Sequence, residues 1–433
     1  MNRETLDTTL GNGLRVLVVH APGAPLAEVR LVLPYARTAP HLAGPQELLA
    51  ACLGTGTTAG AAGGGTRQDI ADRAGDLGAE LSTVVTAESL VMAASVLRPG
   101  LPGTLALLAD LLLRPAYREA ELALAARRTS SSPRTPGPRQ RLRRALLAHA
   151  FGAHPLLEVP AARTTPGTGD LYALHARAVV PDGAVLLVMT AEAPDTVGAL
   201  VGEALGGWAG GPSGLALPPF ARRTPRPGRL ALPAPPGPPG SGQALLLGAG
   251  PAVPAADPGH APLHLAQTVL GGYASSLLAR RVRDRHGLAY AVSAELRGNG
   301  AGDWLEIECA GAPGTADRIA EEVTGCLREL AGDGPSPEEV DRARAYTSGF
   351  TRFALATRTE EASALAGFAA AGLPLDWLDA YRARLAEVTH AQVAEAAAQF
   401  LDPGRVVLAT LDTAHPQPHL ASDSDPESDR WTP

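Results

Sequence analysis

A guanidinium and a phenol seven residues apart, Arg283 and Tyr290, are the most chemically pointed pair in this 433-residue chain. They lie in LGGYASSLLARRVRDRHGLAY, Leu270 to Tyr290. Gly271 and Gly272 permit a tight backbone approach, Leu277, Leu278 and Val282 form the buried stripe of a short helix, and Gly287 is a natural C-cap. The chain then leaves as a strand, so a reversal at Gly287 puts the guanidinium and the phenol on one side of a cleft. Two such donors, once desolvated, are suited to stabilising a developing oxyanion. A structural assignment competes with this one: Arg283 complements the negative end of its helix and Tyr290 packs with its hydroxyl outward.

Other residue types capable of chemistry are poorly grouped. His260 and His264 have the i, i+4 spacing that suits a metal on a helix, but no carboxylate or Cys follows at ligand spacing and Pro262 lies between them. They read as N-terminal helix residues. His149 and His154, in HAFGAHPLLE, read as a turn before the next element, and His41 lies in a Pro-flanked loop where it can approach only Glu47. Two ligands do not hold zinc. The chain has no G-x-S-x-G and no phosphate-binding glycine loop, and Gly63-Gly64-Gly65 reads as a connector into a capped helix. Cys52, Cys309 and Cys326 are an odd number without C-x-x-C spacing, which argues against a disulfide framework or a thiolate zinc site and fits a reducing compartment.

Length and 45% apolar content allow a substantial core in two or three domains. The net charge of −7 is spread thinly, with no basic stripe, so neither nucleic acid nor an anionic membrane is an evident partner. All 37 basic residues are Arg, which reads as codon bias. The chain opens without an apolar leader and contains no run near the ~18 apolar residues of a membrane span, from which a cytoplasmic protein is expected.

The elements that would position these residues recur in order. Gly11-Asn12-Gly13 is a turn signal, and the runs Leu14 to Val19 and Val29 to Leu33 suggest a hairpin. A helix is expected over 46–53. Thr66 and Asp69 form a capping box for another, stopped at Gly78. Strands over 81–85 and 90–97 and helices over 101–113 and 119–128 follow. The Pro, Gly and Ala of residues 209–240 read as a linker. Beyond it the rhythm repeats: strand 244–247, helices to His286, strands 289–296 and 304–309, then helices from Thr315 and Pro337. ELALAAR after Pro115 has a counterpart in EVDRAR after Pro337, so the chain reads as a duplication of two units of about 200 residues packed around a cleft.

With the paired glycines, the Ser-Leu helix, the Arg and the Gly-Leu-Ala-Tyr exit at fixed spacing, the chain resembles the insulinase or pitrilysin (inverzincin) superfamily. The branch is its short bacterial and mitochondrial-processing one, and the resemblance covers nearly the whole chain. It implies an α+β fold of two homologous domains, each a mostly antiparallel sheet with helices packed on one face, joined by a Pro/Gly-rich linker into a clamshell. The boundaries would be 1–208, linker 209–240, 241–412, and a disordered tail 413–433.

Active relatives place H-x-x-E-H on a helix, two His binding zinc and the Glu serving as general base, with a third ligand Glu on a later helix. Here Gly44 to Thr57, GPQELLAACLGTGT, occupies that place, and Glu47, Ala50 and Ala51 stand where His, Glu and His would be. No Asp or Glu lies between Glu121 and Glu158, so the third ligand is missing as well. The resemblance thus implies a subunit that binds no cofactor itself. It would supply Arg283 and Tyr290, and half of a peptide-binding chamber, to a sister subunit with an intact H-x-x-E-H and its zinc. The substrate would be a peptide or precursor leader, added to a sheet as an edge strand. The alternative is an inactive scaffold or peptide-binding protein with no proteolytic partner.

Overall fold

Asn12 closes the first turn of the chain: Gly13 takes a positive φ of 93°, and the Asn12 amide donates to the carbonyls of Leu205 and Trp208. The turn joins β1 (Thr5–Thr9) to β2 (Arg15–His20) in an antiparallel pair. The computed structural model describes residues 4–58, 65–86, 88–130, 136–157, 166–212, 215–233 and 242–412.

The remaining first-half strands are β3 (Leu26–Pro34), β4 (Ala79–Val85), β5 (Ser89–Leu97) and β6 (Val185–Thr190). Their order is β1-β2-β6-β3-β5-β4, with only β2 and β6 parallel. The hairpin expected from Leu14–Val19 and Val29–Leu33 does not form. The fully buried β6 inserts between β2 and β3, and the glycine turn serves the exposed, Thr-rich β1 instead.

Second-half strands are β7 (Gly228–Leu232), β8 (Ala244–Pro251), β9 (Ala289–Asn299), β10 (Gly302–Gly311) and β11 (Val407–Asp412). They run β7-β11-β8-β10-β9, again with one parallel pair at the closing strand. Omitting β1, the two orders match strand for strand, so the duplication read from the sequence is a topological one. The stretch 209–240 is not linker throughout: Gly228–Leu232 pairs with β11, because an edge strand needs backbone partners on only one side and so accepts a Pro-flanked sequence. The expected tail 413–433 lies outside the described residues, as do 213–214 and 234–240 of the expected linker.

The helices are α1 (Ala43–Leu53), α2 (Arg67–Leu77), α3 (Leu101–Leu113), α4 (Glu119–Ser130), α5 (Pro138–Phe151), α6 (Thr168–Ala178) and α7 (Pro194–Leu205) in the first half. The second half has α8 (His260–Gln267), α9 (Ala316–Gly332), α10 (Pro337–Ala354), α11 (Arg358–Ala370), α12 (Trp377–Glu387) and α13 (His390–Phe400). The Thr66/Asp69 capping box opens α2 as expected, and Gly78 ends it in the left-handed region. On α9, Ile319, Val323, Cys326, Leu327 and Leu330 recur at helical spacing and are buried.

Each sheet packs one face on helices of its own half, around Leu31, Leu49 and Leu105 in the first and Leu246, Ile307 and Val323 in the second. The opposite face of each is covered by a helix from the other half. Ala362, Leu365, Ala366 and Ala369 of α11 pack on Leu17, Val32, Leu187 and Met189 of the first sheet. Leu142, Leu146 and Phe151 of α5 pack on Leu245, Leu247 and Val407 of the second. Arginines fix both visitors. Arg358 donates to the carbonyls of Ala21 and Pro22 at 2.5 and 2.7 Å, and Arg143 pairs with buried Glu306 at 2.7 Å. No helix among the described residues is long and apolar enough to cross a membrane.

Candidate functional site

The positions read as a degenerate metal site do lie on a helix. On α1, Glu47 and Ala51 are one turn apart, Glu47 half-buried and Ala51 exposed, while Ala50 is buried in the first core. Helix α4 packs against α1, as the later ligand helix would. Its Glu121 is already engaged: Arg67, at the start of α2, reaches Glu121 Oε2 through Nε at 3.0 Å and Nη2 at 2.5 Å. Cys52, next to Ala51, is buried, and burial first, then the Glu121 charge, pushes its thiol up to about 11. It stays protonated at neutral pH.

These residues do not fit zinc. Ala50 and Ala51 carry no donor atoms, Glu47 offers one carboxylate, and the carboxylate of the neighbouring helix is neutralised by a guanidinium where a dication would need it free. The Arg67–Glu121 pair was not singled out in the sequence, although Arg67 follows the capping Thr66 and Glu121 is the last carboxylate of its helix.

Arg283 and Tyr290 lie on adjoining elements of the second half. Residues 268–272 and 279–285 both adopt wide π-type helical turns, a geometry that recurs at functional sites. Gly271 lies against β9: a Cβ there would stand 2.6 Å from the Ala294 nitrogen, so the close approach read from the paired glycines is real. Gly287, at φ +59°, ends the second segment. Arg283 donates to Asp284 Oδ1 and to the Ala274 carbonyl, each at 2.8 Å, and that pairing raises its pKa. Tyr290 begins the edge strand β9, is 67% exposed, and donates its hydroxyl to Gln243 at 2.9 Å. The two side chains share no hydrogen bond with each other.

The histidines take structural roles. His260 and His264 open α8, and both Nδ1 atoms meet the Tyr381 hydroxyl, at 2.7 and 2.9 Å. A hydroxyl has one proton, so Tyr381 donates to one imidazole and accepts from the other. His154 bonds the Pro218 carbonyl at 2.8 Å and His149 that of Pro227.

Comparison with known proteins points to the same family that the sequence resembles. Residues 168–346, from α6 into α10, match the family model described as the Peptidase M16 inactive domain. An uncharacterized zinc protease of Mycobacterium leprae (strain TN) is 28% identical over 364 residues, covering 79% of this chain and 77% of the relative. The chain is thus similar to M16, insulinase-type, peptidases, over residues 168–346 to their inactive domain in particular. The M16 fold is shared along its length with solved structures. A Pseudomonas fluorescens protein described as a peptidase M16 inactive domain has a TM-score of 0.81 at 22% identity, with 96% of this chain and 100% of that one covered. A Helicobacter pylori protease gives 0.78 at 15% identity, with 95% and 100% covered. An M16-like peptidase of Alicyclobacillus acidocaldarius gives 0.75 at 16% identity, with 95% and 99% covered.

Proposed function

We propose that this protein is the non-catalytic subunit of a heterodimeric zinc metallopeptidase in the cytoplasm. It supplies Arg283, Tyr290 and half of a peptide-binding chamber to a metal-bearing sister subunit that processes a peptide or precursor leader. The observation that carries this reading is an exposed Tyr290, with a half-buried Arg283 on the adjoining element, at a sheet edge. Tyr290 is left largely in solvent at the start of β9, where an extended peptide can pair with the strand. An aromatic ring in that position adds little to the core, and a phenol and a guanidinium there can donate to a substrate carbonyl. Three buried free thiols support the compartment.

The test is reconstitution with a sister chain that keeps H-x-x-E-H. Arg283→Ala and Tyr290→Phe are each expected to lower kcat/KM for a leader peptide by 10² or so, the scale of one lost oxyanion donor. Full activity of the sister alone would overturn the proposal. The engagement of Arg283 by Asp284 favours a second reading, an inactive scaffold or peptide-binding protein without a proteolytic partner. That reading requires peptide binding to survive both substitutions and no sister activity to depend on this chain.

A further inference from the structure

Between the halves lies a cavity of ≈ 960 Å³ whose wall includes Arg30 and His260 but neither Arg283, Tyr290 nor any residue of α1. Its floor is the outer face of the first sheet and the end of α11, with Val32, Val91, Ala366 and Phe368. Its far wall is the β9–β10 hairpin and Trp377 at the start of α12. The size suits a small organic ligand. Phe368 and Trp377 present two aromatic rings with centroids 4.8 Å apart, and the Trp377 Nε1–H is buried with no acceptor.

The charge of this cavity is unbalanced. Its cations are spent elsewhere: Arg30 is bonded to Glu28, and Arg297 pairs with Glu295 at 2.6 Å. His260 is neutral at pH 7, because burial lowers its pKa to about 4. The two carboxylates in the lining have no cation among the described residues. Among the described residues Glu88 accepts only the Gly300 amide, at 2.7 Å, and Asp303 accepts no hydrogen bond. Asp303 is held in place by the backbone opposite it. It pairs in register with Gly298, where a Cβ would fall 2.4 Å from Asp303 Oδ1, so the carboxylate folds over a bare glycine. Half-burial raises the Asp303 pKa, a penalty that a bound cation would relieve.

From the unpaired carboxylates over an apolar, aromatic floor, we infer that this cavity binds an organic amine, an ammonium group on an alkyl or arylalkyl body. The ammonium sits by Asp303 and Glu88, and the body lies on Phe368 and Trp377, where an aromatic face favours cationic ligands. A divalent metal is a poorer occupant, since two carboxylates fall short of the six to eight oxygens calcium takes and most of the remaining wall is apolar. The site is independent of Arg283, Tyr290 and the degenerate metal helix.

The full-length chain is titrated calorimetrically at pH 7 with 4-phenylbutylamine, 4-phenylbutanol and 4-phenylbutyrate, and with calcium chloride. The amine is expected to bind saturably, about tenfold or more tighter than the alcohol, with no binding of the carboxylate. Asp303→Asn should bring amine and alcohol within about threefold of each other. Gly298→Ala, whose methyl displaces the carboxylate, should weaken the amine alone, with an unchanged melting temperature serving as the control for folding. Equal affinity for amine and alcohol in the unmodified protein would overturn the inference. So would amine binding untouched by Asp303→Asn, or displacement of the amine by calcium at equimolar concentration.

Discussion

Arg30 on β3 donates its Nε–H to the Ser363 hydroxyl of α11 over 3.0 Å, so one guanidinium belongs to a strand of the first half and a helix of the second. Its other protons go to the carbonyls of Val29, Ala94 and Thr359 and, at 2.8 Å, to Glu28 Oε2. All five donors are used, and the Glu28 partner takes further protons from Ser95 and Thr359 hydroxyls. A buried ion pair this fully bonded fixes where α11 sits more than it adds net stability.

Removing one partner strands the other. Arg30→Met is expected to lower the unfolding free energy by about 3–5 kcal/mol, since Glu28 stays buried and uncompensated. The double variant Glu28→Leu with Arg30→Met should recover much of that loss. Urea denaturation of the four proteins measures both, and a cost below about 1 kcal/mol for Arg30→Met would show that the pair is not a clasp.

Because α5 and α11 are exchanged, neither half is a complete folding unit. A fragment ending at residue 212 lacks α11 and leaves Leu17, Val32, Leu187 and Met189 uncovered. A fragment starting at 215 lacks α5 and uncovers Leu245, Leu247 and Val407. Each is expected to be aggregation-prone alone and to give a native-like circular dichroism melt only on co-expression. A cooperative melt from either fragment by itself would contradict the exchange.

What the sequence made legible follows from range. Local chemistry was readable: the Thr66/Asp69 capping box, the Gly78 stop, the helix over 101–113 and the approach at Gly271 rest on neighbours within a few residues. Pairing across the chain was not. β6 lies some 150 residues beyond the strands it separates, and nothing in Val185–Thr190 says which strand it enters between. The exchange of α5 and α11 escaped for the same reason, since an amphipathic stripe shows that a helix is covered and not by what. At the candidate site, the lack of donor atoms at Ala50 and Ala51 could be read directly, but the Arg67–Glu121 pair spans 54 residues and needed the packing of α4 on α1.

Acid should weaken this protein through histidines held neutral. Burial lowers His175, His260 and His264 each to about 4, from an ordinary value of 6.5. His175 must be Nε2-protonated, since that atom faces the Leu112 carbonyl while Nδ1 accepts from Tyr117. With folded pKa values below unfolded ones, the unfolded chain takes up protons first. Stability is therefore fully present above pH 6.5, falls as pH drops from 6.5 to 4, and is flat in these groups below 4. The sensitivity is roughly 1.4 kcal/mol per pKa unit per histidine at most. Urea midpoints at pH 7, 6 and 5 should fall in that order, and equal midpoints would mean that these imidazoles are not buried neutral.

Rebuilding the metal helix tests whether Arg67 helps to keep the site closed to zinc. Glu47→His, Ala50→Glu and Ala51→His restore H-x-x-E-H on α1. The exposed position 51 takes an imidazole without repacking, whereas a carboxylate at buried position 50 carries a desolvation cost. Glu121, on the helix packed against α1, is a candidate third ligand just outside the carboxylate-free stretch read from the sequence, and it would still be withheld, because it remains bonded to Arg67. The triple variant is therefore expected to bind zinc weakly. Adding Arg67→Ala frees the Glu121 carboxylate and removes a fixed positive charge, and zinc affinity should rise at least about tenfold, by 1.4 kcal/mol or more. Equilibrium dialysis with metal analysis reads the affinity. A zinc-dependent rise in melting temperature confined to the quadruple variant would report the same linkage independently. Tight stoichiometric zinc in the triple variant, with Arg67 in place, would show that the guanidinium is no barrier and that Ala50 and Ala51 alone account for the loss.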